Sequence, residues 1–157
     1  MKQENQTEQQ KPNMKLTTTL NLLHKNNACE LGMTTLLKHL GADYPADKPI
    51  NLLTILDSNG VQHCLWALRA TRQPKAAMKV AVRAAITFAE QALPLWEKYN
   101  ATDKQPQQAI AAAKAWLNHP CPETASAADA ASAAFATAFA ASAAYAAQKE
   151  ILKGLLQ

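Results

Sequence analysis

From Ala125 to Ala147 the chain is dominated by alanine: 15 of 23 residues are Ala, and Asp129 is the only charge. Alanine gives up no side-chain entropy on entering a helix, so the stretch predicts one long helix. Its larger side chains, Phe135, Phe139 and Tyr145, are sparse, and the phrases SAADA, SAAFA and SAAYA recur. Short side chains let neighbouring helices approach the backbone closely, which makes this helix the central or back wall of an all-helical packing unit. The uncharged run from Ala130 to Gln148 contains no Leu, Ile or Val. Alanine is near neutral in transfer to lipid, so a buried helix of a soluble domain is favoured over a membrane span.

A chain of 157 residues fits one domain that buries roughly two thirds of its unfolded surface. With 48% hydrophobic residues, 18% charged residues and 4 glycines, the profile is globular and helix-rich. Residues 1–13, MKQENQTEQQKPN, hold no aliphatic side chain and are expected to form a flexible polar tail. They lack the apolar centre of a signal peptide and the character of a transit peptide. Cys29, Cys64 and Cys121 are few, odd in number and widely spaced, so free thiols in the cytoplasm are expected rather than disulfides.

Apolar periodicity divides residues 14–157 into about six helices of a single helical-bundle domain. No period-two strand stands out. Leu16, Leu20 and Leu23 open one stripe, and Ala28, Met33, Leu36, Leu37 and Leu40 form a second that stops at Gly41. Pro49 takes a first helical position behind Asp47 or Lys48, and Leu52, Leu53, Ile55 and Leu56 continue to a stop at Asn59-Gly60. Val61, Cys64, Leu65 and Leu68 mark the next helix, which Gln73-Pro74 ends or bends. A long helix follows from about Lys75 to Glu97, with Pro94 near its end, and another starts at Pro106. The alanine helix is expected to pack on these last two.

Signals of chemistry are weak. His63-Cys64 and His119-x-Cys121 lack zinc-ligand spacing, and adjacent residues on a helix point apart. Cys64 reads as a small core hydrophobe. Cys29 has no glycine-rich or cationic surrounding in the sequence that would make it a nucleophile. The 12 acids are dispersed, with no pair on an apolar face. No Walker loop, GxGxxG or GxSxG occurs. No catalytic residue, metal site or cofactor is expected, and enzymatic function is disfavoured.

Charge is distributed more informatively. Between Asp57 and Glu90 stand five cations and no acid: Arg69, Arg72, Lys75, Lys79 and Arg83. Lys75, Lys79 and Arg83 step by four, forming one ridge on the long helix where like charges repel slightly. An acidic protein surface or a phosphate backbone would relieve that repulsion, and the net charge of +4 agrees in sign. A merely solvated face is the plain alternative. Nucleic acid is the weaker partner, because no helix-turn-helix motif is found and aromatics are not interleaved with the bases.

The segments SNGVQHCLWALRAT (Ser58 to Thr71) and FAEQALPLWEKYNATDKQPQQAIAAAKAWL (Phe88 to Leu117), followed by Ala-Ala-aromatic phrases, resemble a family of immunity proteins of bacterial polymorphic toxin systems. Similar segments occur in uncharacterised phage and prophage proteins. The likeness covers about the C-terminal two thirds, in the order LP-aromatic-E, a DxxP turn, then AIxAAxxW. It departs where the family shows Arg-Pro-Arg and then Ala-Ile-Glu-Ala-Ala: here stand Gln105, Pro106, Gln107 and Ala111, so a salt-bridged corner is expected to be lost. The resemblance implies an all-helical, non-enzymatic inhibitor that binds a protein target. It draws attention to Trp66, Arg69, Trp96, Pro106 and Trp116, although a core role is the first reading of the three tryptophans.

The expectation is therefore stoichiometric inhibition, either of a toxin or, for a phage-borne gene, of a bacterial defence complex such as a CRISPR complex, with the basic ridge as contact. The alternatives are a phage or plasmid accessory protein that binds nucleic acid through the same ridge, and a homodimer seamed by Phe135, Phe139 and Tyr145.

Overall fold

Leu16, 3% exposed, is the first core residue, and the chain passes straight from it into a short strand rather than a helix. The computed structural model describes residues 15–120 and 145–157. Thr17–Thr18 (β1) pairs antiparallel with Ile50–Asn51 (β2), Thr17 opposite Asn51 and Thr18 opposite Ile50. A two-residue ladder cannot display a period, so the sequence does not announce it. Tertiary bonds hold it instead. Leu52 N donates to Leu16 O at 3.1 Å and Arg72 N to Thr17 O at 2.9 Å. Thr17 N donates to Gln73 Oε1 at 3.0 Å, and buried Thr18 donates its hydroxyl to Ala70 O.

Thr19 caps the short helix α1 (Leu20–Lys25) by accepting from Leu22 N at 3.1 Å. Cys29 caps α2 (Glu30–Leu40), whose buried face is Gly32, Met33 and Leu36. Gly41 ends it as the sequence predicts. Pro49, in contrast, starts no helix. The residues after it are claimed by β1, and the cap falls to Asn51, whose side chain accepts from Leu53 N at 2.9 Å. Helix α3 (Leu52–Ala67) is broken at Gly60, where φ is 83° and ψ is −178°. That conformation is essentially open to glycine alone, so the predicted corner at Asn59-Gly60 is present.

A 3-10 turn (Leu68–Ala70) closes α3, and Pro74 then stands at the start of α4 (Pro74–Tyr99). Its lost N–H and fixed φ suit the first turn, so it opens the next helix rather than bending the preceding one. Pro94 lies inside α4. Asp103 accepts from Gln105 N at 2.9 Å and turns the chain into α5 (Gln105–Asn118). The last described helix is α6 (Tyr145–Leu156). The molecule is thus all-α, with six α-helices and one minimal sheet among the described residues.

Two apolar clusters organise it. The larger joins Leu20 and Leu23 of α1, Leu36 of α2, Leu52, Leu56 and Val61 of α3, Phe88 of α4, and Leu152 and Leu156 of α6. Helix α6 packs against α3 and α4, and Lys149 reaches Asp57 of α3 at 3.6 Å. The smaller cluster joins Val82, Ala85, Ile86 and Ala89 of α4 to Ile110 and Ala113 of α5. The alanine helix was expected to run to Ala147 and to lie on α4 and α5. Most of it, with Phe135 and Phe139 of the proposed dimer seam, lies outside the described residues, as does the predicted tail. What is described continues past Ala147 to Leu156, because Ile151, Leu152, Leu155 and Leu156 give it a dense apolar end that packs on the larger cluster. No described helix is long and apolar enough to cross a membrane.

Candidate functional site

The five ridge cations occupy one continuous stretch: Arg69 in the 3-10 turn, Arg72 just after it, and Lys75, Lys79 and Arg83 in the first half of α4. All five are exposed. Steps of four on a helix advance by about 40° each, so the three α4 cations span a strip about 80° wide. Ala77, Ala84 and Phe88 lie on the opposite side and are buried, which fixes the strip toward solvent. The ion pairs among the described residues are Lys114–Glu90 and Lys149–Asp57. No ridge cation takes part in one.

Packing prepares part of this surface. Arg69 lies over the ring of Trp66, its guanidinium carbon 5.4 Å from the ring centroid, a cation–π contact that restricts its side chain. Arg72 is tethered through its backbone to Thr17. Met78, between Lys75 and Lys79 in the chain, is 51% exposed and supplies an apolar side chain beside the positive ones. The tryptophans are not fully buried as a pure core role would have them: Trp66, Trp96 and Trp116 are each half-buried, with Trp66 against the larger cluster and Trp116 against the smaller. The α4–α5 corner keeps a polar link, Gln107 Nε2 donating to Glu97 Oε1 at 2.5 Å, where a salt bridge was expected to be lost.

A second constellation was not legible in the sequence. Cys29 Sγ lies 3.7 Å from His63 Nε2, across 34 positions of chain. His63 Nδ1 is 3.1 Å from the carbonyl oxygen of Asn59. That oxygen can only accept, so the neutral ring carries its hydrogen on Nδ1 and turns the Nε2 lone pair to the thiol. Asn59 in turn donates from Nδ2 to Gly32 O at 2.7 Å, and Gly32 N donates to the Cys29 sulfur at 3.3 Å. A side chain at Gly32 would put its Cβ 2.8 Å from His63 Cδ2 and 3.1 Å from the Cys29 sulfur. An alanine there would have to displace the imidazole. His63 and Cys64, adjacent in sequence, diverge: Cys64 is buried and donates to Leu52 O at 3.4 Å. Cys29 and His63 line a cavity of about 260 Å³ whose walls include Leu23, Met33, Leu36, Ile55 and Trp66.

Among the described residues, no group of three or more His, Cys, Asp or Glu side chains could hold a metal ion. Comparison with protein families, with curated proteins and with solved structures finds no match for this chain.

Proposed function

We propose that this chain acts by binding an acidic surface of another protein stoichiometrically and so blocking it. The observation that carries this reading is the set of five exposed cations, in no ion pair among the described residues, along one continuous, well-anchored stretch of chain. A blocking protein needs complementarity and no reacting group, with arginines as favoured anchors and charge speeding the encounter. Arg69 held on Trp66 and Met78 set among lysines suit a protein partner, because they add a pre-ordered fork and an apolar contact to the charge. Taken with the immunity-family resemblance, the partner is a toxin or, for a phage-borne gene, a component of a bacterial defence complex.

Affinity capture of the tagged chain from nuclease-treated host lysate tests this. The expected result is one stoichiometric protein that is lost when Arg72, Lys79 and Arg83 are replaced by Glu in a variant of unchanged helicity. Recovery of nucleic acid alone from untreated lysate, with affinity falling steeply as counterions compete at rising salt, would replace this reading with nucleic-acid binding.

A further inference from the structure

We propose that Cys29 and His63 form a nucleophile–base pair that accepts an acyl group from an apolar acyl thioester. The inference is independent of the ridge. An activated thiol needs a base within reach and a third group that orients the base. His63 Nε2 is 3.7 Å from the sulfur, and Asn59 O fixes its ring through Nδ1. Gly32 meets both requirements of close approach: its N–H donates to the sulfur, and its missing side chain is the space the imidazole occupies. Glycine is a poor helix former, and at this position the fold uses the room it leaves. Asn59 ties the assembly together, holding His63 with its backbone and Gly32 O with its side chain.

The cavity selects the substrate class. Leu23, Met33, Leu36, Ile55 and Trp66 offer hydrocarbon walls next to the thiol, which suits an alkyl chain entering beside a reactive carbonyl. Thiol–disulfide chemistry fits less well, because the other described thiol, Cys64, is buried and bonded to Leu52 O. In the step itself, His63 Nε2 takes the thiol proton as the Cys29 sulfur attacks the thioester carbonyl carbon. The tetrahedral adduct then expels the original thiol, its C–S bond breaking, and His63 returns the proton to the leaving sulfur. One thioester is exchanged for another, and neither oxidant nor reductant is needed.

Incubating the full chain with the octanoyl thioester of N-acetylcysteamine, and following intact and peptide masses over time, tests the assignment. One octanoyl group on Cys29 is expected. The rate should fall about 100-fold in His63→Gln, which removes the base, and about tenfold or more in Gly32→Ala, which displaces the ring. The unmodified chain should react with the octanoyl thioester at least about tenfold faster than with the acetyl thioester, since the walls bury the longer chain. This preference needs no variant to fold. Equal rates with the two chain lengths, labelling spread evenly over the cysteines, an unchanged rate in folded His63→Gln, or no adduct would each overturn the proposal.

Discussion

Cys64 is the residue whose surroundings most change its chemistry. Burial pushes its thiol up to about 12 from the ordinary 9.0, and the charge of Asp57 adds to the effect. A group that holds its proton longer in the folded chain stabilises the fold fully below its unfolded value, and that contribution is lost as pH rises through the folded one. Between pH 9 and 12 the unmodified protein should therefore lose stability faster than Cys64→Ala, by up to about 1.4 kcal/mol per pH unit. Urea unfolding of both proteins across that range measures the difference, and parallel pH profiles would contradict the burial. That Cys64 is a small core hydrophobe was legible from its helical spacing with Val61 and Leu68. Cys29 was not legible in the same way: its partner lies 34 positions away, and adjacency in sequence pointed to His63-Cys64, a pair that the helix turns apart.

At the scale of elements, the breaks were read better than the starts. Gly60 as a corner follows from Asn-Gly chemistry, and the left-handed φ of 83° bears this out. Gly60→Ala should lower stability by about 1–3 kcal/mol through strain alone, read from the urea midpoint with an unchanged slope. Pro49 misled, because it precedes a strand that exists only because β1 lies beside it, whereas Gln73-Pro74 does separate two helical segments, with Pro74 the first residue of α4. Helix α6 shows the limit of local pattern in another way. The alanine content drew attention to its N-terminal side, while its anchor is the apolar end, where Leu152 is fully buried. Leu152→Ala should cost about 2–5 kcal/mol by leaving a cavity between α3, α4 and α6. A shift in thermal midpoint no larger than that of Gly154→Ala, at an exposed position of the same helix, would contradict that placement.

For the whole molecule, two surfaces with different physics sit on one all-α scaffold. The cavity on the α2–α3 side depends on atomic distances that only the folded chain defines. The ridge was legible because an absence is visible in sequence: no acid stands between Asp57 and Glu90, and a period of four places three cations together whatever the tertiary fold. What sequence could not supply was that, among the described residues, Lys114 and Lys149 reach acids on other elements while no ridge cation does. Trp66 connects the two regions, lining the cavity on one side and carrying Arg69 on the other. The proposed protein-binding role of the ridge is decided by titrating the captured partner against the unmodified chain and against Arg72→Glu/Lys79→Glu/Arg83→Glu. An affinity loss on the order of 100-fold or more is expected with the fold intact, much of it in the association rate at low salt. Equal affinity for the folded triple variant would contradict it.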